Sequence, residues 1–323
     1  MAPEKKFGER RTEEYYASFC FPLCAVGRPG KERISEDKRK GSYEDQPYKY
    51  WSTRVRSSDL TPNHQEWNKT PILFVYLYND NTILNTIKNT HTTLIDLGMI
   101  DYKEAWDYQA TLFDQIVQLK LQNRNLPEDQ QILTPNYLIT CQHPHVFTLG
   151  KSGSRDHLLV SNEDLEKNNI GYYENNRGGD ITYHGPGQLV VYPILDLENF
   201  FTDIHLYMRM LEESVILTLN DYGITAGRST GQTGVWFDGE NLAKARKIAA
   251  MGVKTSRWVS MHGLAFNIEA SLDHFKMIVP CGIADKAVTS MHLETTQHLD
   301  FNDVKVTLVG HLASLFGMTL HKK

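Results

Sequence analysis

The stretch that most constrains this chain is Arg177-Gly-Gly-Asp-Ile-Thr-Tyr-His184-Gly-Pro-Gly-Gln188. Four glycines and a proline bracket a short alternating core, and the apolar run 189–194 follows at once. Glycine lets backbone approach a neighbour closely and adopt φ > 0, so strand residues between glycine turns suit the wall of a binding pocket. Arg177 and His184 then stand as polar groups at the two ends of that wall. Taken alone, the same residues also read as a tight structural hairpin with a surface arginine.

Two further blocks decide between these readings. One comprises Lys247-Ile-Ala-Ala-Met-Gly252 and Ser260-Met-His-Gly263-Leu-Ala-Phe-Asn-Ile268; the other is Val279-Pro-Cys281-Gly-Ile283. In this order the three blocks closely resemble the octanoyl-acyl-carrier-protein: protein octanoyltransferase family, over roughly residues 92–320. The family shares a fold superfamily with the lipoate- and biotin-protein ligases. The resemblance implies an α/β (α+β-like) catalytic domain of the biotin/lipoate-protein ligase type, with a large mixed sheet, a smaller sheet, packed helices and an active site between the sheets.

The resemblance also implies the site. Cys281 would be the nucleophile, forming an octanoyl-thioester, and Lys247 would favour its thiolate. A free cysteine has a pKa of about 8.5, so little thiolate exists at neutral pH without a nearby cation. Lys244, Arg246 and Lys254 lie close to Lys247 in sequence, and only the family match singles out Lys247. The substrate-binding wall would be Arg177, Gly178, Gly179, Asp180, Ile181, Thr182, Tyr183 and His184, then Ala250, Met251 and Gly252, then Gly263, Leu264 and Ala265. Small walls suit a straight alkyl chain, whose burial contributes about 0.8 kcal/mol per CH2. Main-chain N–H groups near Gly263 could stabilise the thioester oxyanion. His184 or His262 could move the proton of the acceptor lysine, or be hydrogen-bonded structural histidines. Many relatives carry Gln where this chain has Asp180; strand alternation allows Asp180 to point away from the ligand, and an inward Asp180 would add a negative charge that opposes thiolate formation. Strand alternation likewise lets Lys247 face the site only if Ile248 faces the core.

The implied donor is octanoyl-acyl carrier protein. The implied acceptors are lipoyl domains of 2-oxoacid dehydrogenases and the glycine-cleavage H protein. No metal, ATP or other cofactor is expected. The nearest alternative is an ATP-dependent lipoate-protein ligase; another is a non-catalytic protein that binds acyl carriers or lipoyl domains.

Composition bounds the rest. The chain has 323 residues and 41% hydrophobic content, enough for one large domain or two smaller ones. No apolar run approaches the roughly 18 residues of a membrane span. The first residues show neither a secretory nor a mitochondrial signal pattern, and a net charge of −5 does not suggest a nucleic-acid binder. Cys20, Cys24, Cys141 and Cys281 form no disulfide framework, and Cys20/Cys24 lack a second pair for a metal site. A reducing cytoplasm suits this pattern. Residues 1–90 read as a disordered or loosely packed extension, or as residues upstream of the working start, and 91–323 as the catalytic domain.

Within 91–323, a strand at the sheet edge is expected over 92–97. A helix over 102–124 follows, capped by Asp101, with Ala105, Leu112, Phe113, Ile116 and Leu119 inward and Lys103, Asp107, Gln115 and Lys120 outward. Strands are expected at 136–141, 146–149 and 169–173, and a capping box at Ser161 opens a short helix. His143 and His145 could share one strand face, a weak metal pattern because of the intervening proline. Cys141 reads as a small core residue. A helix over 204–222 carries the stripe Tyr207, Leu211, Val215 and Leu219, and Gly223 stops it. An antiparallel meander covers 233–237, 246–253 and 258–268. A short helix lies at 272–277. The last helix spans 304–316, with Asn302 or Asp303 as cap and Gly317 as stop.

Overall fold

A computed structural model describes the backbone at 14–15 and residues 89–241, 243–279 and 287–323. The expectations for Cys20, Cys24 and most of 1–90, and for Cys281, fall outside the described residues.

Thirteen described strands build the two expected sheets. The large sheet runs β13 (Thr319–Lys322), β2 (His91–Met99), β3 (Asn136–Gln142), β7 (Gln188–Ile194), β11 (Val259–Asn267), β10 (Arg246–Ser256), β9 (Gln232–Phe237), β8 (Gly227–Ser229). β1 (Glu14–Tyr15) and β12 (Ala287–Val288) also pair with β10. The sheet is mixed: β13 and β3 flank β2 in parallel, and the ladder from β3 to β8 is antiparallel. The small sheet is β5 (Gly171–Glu174), β4 (Val146–Leu149) and β6 (Ile181–His184).

Strand alternation sorts the sheet's side chains onto two faces. Leu138, Val191, Leu264 and Phe266 pack on one face with α3 (Ile204–Asp221) and α5 (Phe301–Phe316). Ile139, Val190, Tyr192 and Ala265, their sequence neighbours, pack on the other with α1 (Tyr102–Asn123). Phe147, Ile181, Tyr183 and Phe275 form a separate core under the small sheet. The remaining helices are short, α2 (Asn162–Lys167) and α4 (Met291–Glu294).

Local signals hold where the chain solves its own end effects. Asp101 accepts from the N–H groups of Lys103 and Glu104, Ser161 and Asp164 close a capping box, and Gly317 ends α5 at φ 67°. The α3 stripe Tyr207, Leu211, Val215 and Leu219 is fully buried. Cys141 is a core residue, and burial pushes its thiol up.

Four expectations change. β2 is not an edge strand, because β13 covers it from the C-terminus. Asp300, rather than Asn302 or Asp303, caps α5, accepting from both of their N–H groups. Residues 273–277 form a 3-10 turn. Lys120 is buried against Asp196, with Glu198 at 3.0 Å, whereas Leu119 is only half-buried. A helix face read from α1 alone cannot reveal carboxylates that arrive from the end of β7, and a lysine needs such partners to be buried.

Candidate functional site

The arginine-glycine loop is held to the scaffold through its own side chain. Arg177 is buried and crosses back over the loop. Its Nη1 donates to the Gly178 carbonyl (3.0 Å), and its Nη2 donates to the Thr148 carbonyl (2.6 Å), Thr148 Oγ1 (3.0 Å) and the Asp180 carbonyl (2.8 Å). Main-chain bonds from Lys151 N to the Arg177 carbonyl and from Gly178 N to the Val253 carbonyl, both 3.0 Å, join the loop to β4's exit and to β10. The glycines permit these approaches: a Cβ on Gly252 would lie 2.8 Å from the Gly178 carbonyl oxygen.

This loop, β6, β7, β10 and β11 line one cavity that opens to solvent. Of the expected wall, Arg177, Gly179, Asp180, Ile181, Thr182, His184, Ala250, Met251, Gly252, Gly263, Leu264 and Ala265 line it, together with Lys247. Three blocks distant in sequence therefore meet on one surface. Two expected residues do not line it. Gly178 serves the loop's main-chain bonds, and Tyr183 points into the small sheet's core, where its hydroxyl meets His145 Nδ1 at 2.6 Å.

Alternation holds from Lys247 to Ile248 and fails at Ala249. The ladder between β10 and β9 shifts register between Lys247 and Ala249, a bulge that leaves both Ile248 and Ala249 buried in the core, while Lys247 lines the cavity. Its Nζ sits 4.5 Å from the centre of the Trp236 ring.

Both candidate histidines are buried. His184 Nδ1 lies 2.7 Å from Gln188 Oε1, which can only accept, so Nδ1 carries the proton. Its Nε2 faces Thr148 Oγ1 at 3.3 Å. Gln188 continues to Asn267 Oδ1 (2.9 Å), and Asn267 to the Thr289 carbonyl (2.9 Å). Both nitrogens of His184 are thus engaged within a polar chain that orients the cavity floor. His262 has φ 61° and pairs its Nε2 with Asn176 Oδ1 (2.8 Å); its own N–H donates to Gln109 Oε1 (3.0 Å) from α1. Burial pushes both imidazoles down to about 3, with the Arg177 charge adding to the effect, so both stay neutral near pH 7. His143 and His145 have separate partners: His143 contacts the Ile100 carbonyl and Tyr192 Oη, His145 the Tyr183 hydroxyl. Asp180 turns its carboxylate to His157, 2.6 Å away, and to the Ile181 N–H, 2.7 Å away.

Sequence reasoning missed Tyr102, Tyr192, Trp236, Asn267 and Phe275, which also line the cavity. Tyr192 and Asn267 sit at inward positions of β7 and β11 and could have been read from alternation. Tyr102 carries no such signal, because it opens a helix and reaches the site only through the packing of α1; its hydroxyl accepts from Asn175 Nδ2 (2.6 Å).

One glycine here is subject to a sharp steric test. A Cβ on Gly263 would lie 2.1 Å from the Val191 carbonyl oxygen and 2.6 Å from Pro193 Cδ, both on the neighbouring β7. Gly263→Ala is expected to cost about 1–3 kcal/mol, a fall of about 2–12 °C in Tm. Gly310→Ala, within α5 where a Cβ meets nothing inside 4 Å, should instead stabilise by about 0.5–1 kcal/mol. Thermal unfolding of the two variants side by side checks both signs.

Among the described residues, no helix is long and apolar enough to cross a membrane, and no three His, Cys, Asp or Glu side chains converge on a metal-sized site. Residues 101–313 match the lipoyl protein ligase A/B catalytic domain. An octanoyltransferase of Cytophaga hutchinsonii is 58% identical over 231 residues, covering 71% of this chain and 95% of that relative. One of Flavobacterium johnsoniae is 54% identical, covering 71% and 97%. Among solved structures, a bi-partite lipoate protein ligase of Thermoplasma acidophilum superposes with a TM-score of 0.54 at 15% identity, covering 73% of this chain and 87% of that one. A lipoate-protein ligase A bound with ATP superposes with a TM-score of 0.53 at 14% identity, covering 73% and 89%. The structural likeness carries the fold, the sequence likeness carries the kinship, and together they make this chain a member of the octanoyltransferases within the lipoyl protein ligase A/B catalytic-domain family.

Proposed function

We propose that the chain moves an octanoyl group from octanoyl-acyl carrier protein to a specific lysine of lipoyl domains through a thioester on Cys281. The acceptors on this reading are the lipoyl domains of 2-oxoacid dehydrogenases and the glycine-cleavage H protein. Residues 91–323 form the catalytic domain, working in the cytoplasm. The observation that carries the reading is one cavity lined by the arginine-glycine loop, the Ala250–Gly252 and Gly263–Ala265 segments and the Lys247 side chain. The kinship with octanoyltransferases supports it independently.

Chain connectivity supports a role for Cys281 beside that cavity. Phe275, before the undescribed 280–286, and Ala287 and Val288, after it, all line the cavity. Val288 pairs with Lys247 in register, and the Thr289 N–H donates to the Lys247 carbonyl (2.9 Å).

The chemistry then runs in two balanced steps. Cys281 loses its proton, and the Lys247 ammonium favours the resulting thiolate. The thiolate attacks the donor's thioester carbonyl; a new C–S bond forms, the old one breaks, and the carrier's thiol leaves with a proton. The acceptor's neutral lysine amine next attacks the acyl-cysteine. A C–N bond forms, the C–S bond breaks, Cys281 regains its electron pair, and the amine gives up a proton. Thiol-to-thiol exchange is close to energy-neutral, and amide formation drives the sequence. Small walls at Gly179, Ala250, Gly252 and Gly263 leave a slot for the alkyl chain. Arg177 places positive charge beside that slot, where burial strengthens its pull on an oxyanion. His184, engaged at both nitrogens, orients the wall in this scheme.

Mass spectrometry of the protein after incubation with octanoyl-acyl carrier protein, without ATP, tests the proposal. The expected result is one octanoyl adduct, confined to the peptide containing Cys281 and discharged by an apo lipoyl domain. A strict requirement for ATP with free octanoate as donor would instead make this chain a ligase. Tight binding of the carrier with neither adduct nor turnover would make it a binding protein.

A further inference from the structure

The environment of Lys247 is built by residues outside the three motif blocks. β9 and β10 set Trp236 directly opposite Lys247 in the ladder, and such cross-strand neighbours meet on one face, here with the lysine Nζ over the indole ring. The neighbouring pair, Arg246 and Phe237, lies on the other side of the ribbon. There the guanidinium is gripped by Glu294 (2.6 Å) and Asp238 (2.6 Å). Each of the two adjacent cations lies over the aromatic ring paired with it across the ladder: Arg246, which carboxylates also clamp, 4.7 Å from the centre of Phe237, and Lys247 4.5 Å from that of Trp236.

The lysine stem has a matching groove. Gly234, two residues before Trp236, has φ 119°, and a Cβ there would lie 2.6 Å from the Ala249 carbonyl oxygen and 3.3 Å from both Cδ and Cε of Lys247. A side chain at 234 would push the lysine stem off its seat. Gly234 is itself fixed from behind: its N–H donates to Oε1 of the fully buried Glu212 (2.9 Å), while Glu212 Oε2 takes Arg228 Nε (2.9 Å) and Arg209 Nη1 (2.6 Å). The Glu212 charge is directed to two arginines on the far side of β9.

We infer that Trp236 is a positioning residue for Lys247, seating its ammonium on the indole face while Gly234, pinned by Glu212, leaves room for the stem. The inference rests on the proposed pairing of Lys247 with the Cys281 thiolate. The ring holds the ammonium by a cation–π contact and so fixes where its field falls.

The test follows iodoacetamide alkylation of the Cys281 peptide against pH in the full-length protein. The variants are Trp236→Phe, which keeps a ring, Trp236→Met, which fills space without one, and Lys247→Met. Loss of a nearby ammonium disfavours the thiolate, so Lys247→Met should raise the alkylation midpoint by about one unit or more. Trp236→Met should raise it in the same direction and slow alkylation at pH 7 by about threefold, with Trp236→Phe between it and the parent. Adding Trp236→Met to Lys247→Met should change nothing further, because the ring acts through the ammonium. If Lys247→Met moves the midpoint but neither Trp236 variant does, the positioning role is wrong and the catalytic reading stands. If Lys247→Met leaves the midpoint in place, both are wrong. A variant that melts early is read at a temperature where its circular dichroism matches the parent.

Discussion

Replacing Cys281 with alanine should abolish octanoyl transfer, by at least about 10³-fold in turnover, while leaving the melting temperature within a few degrees of the parent. The size of the effect follows from the covalent route: without sulfur there is no acyl-enzyme, and the direct attack of a protein lysine on the carrier thioester loses the step that divides the reaction in two. Serine is the sharper substitution. Its hydroxyl is a far weaker nucleophile at neutral pH, and a lysine ammonium cannot bring an alcohol near ionisation, so Cys281→Ser should be as inactive as alanine. An octanoyl ester trapped on the serine would still report that the group reaches position 281. The expected pattern is no transfer and no adduct for alanine, with no transfer and at most a slow ester for serine. Transfer within tenfold of the parent in Cys281→Ala would remove the covalent mechanism. Cys141 offers no substitute, since it is sealed in the sheet's core and its thiol is pushed up by burial.

What could be read in advance divides along a physical line. Features decided within a few residues were legible. Asp101, Ser161 and Gly317 close helix ends with their own side chain or their own φ, and the alternation of β7 and β11 sends Val190 and Val191 to opposite faces. Of the candidate wall, the segments around Arg177–His184, Ala250–Gly252 and Gly263–Ala265 are short and rich in small residues, and the structure brings most of their residues onto one cavity. Features decided by distant partners were not. Nothing near 319–322 announces that this strand covers β2, and nothing near Lys120 announces Asp196. Glu212 lies beside Glu213 and Ser214 in α3, and its full burial depends on Arg228 and the Gly234 N–H, which reach it from β8 and β9, as well as on Arg209 one turn back. The bulge after Lys247 belongs to this second class: alternation places Ile248 and Ala249 on opposite faces, and the register shift buries both. The burial of Ala249 is therefore a property of the ladder between β9 and β10 rather than of the motif that contains it.

Arg177→Met should lower both stability and activity more than any other change to the cavity wall. The guanidinium donates hydrogen bonds to the main-chain carbonyls of Gly178, Thr148 and Asp180 and to Thr148 Oγ1. Bonds to a charged donor contribute about 1.5–3 kcal/mol each, and buried acceptors left without a donor carry a further desolvation cost. Because the four share one side chain and are not additive, a total loss of about 3–5 kcal/mol is expected, read as a shift of the urea midpoint at unchanged slope. The loop from Arg177 to Asp180 would then no longer be tied to Thr148, and a displacement of about 1 Å at the thioester would slow transfer on the order of 10²-fold. Lysine at this position separates charge from geometry. It restores a cation but has one point donor in place of the planar fork that reaches the Thr148 and Asp180 carbonyls together. Arg177→Lys should consequently recover little of the stability and at most a tenfold part of the rate, and parent-like stability in Arg177→Lys would mean that positive charge alone holds the loop. The same variants bear on the neutral histidines beside it. The Arg177 charge helps hold His262 and His184 down, so in Arg177→Met both imidazoles should titrate upward from about 3, which NMR chemical shifts of their ring protons can follow independently of activity.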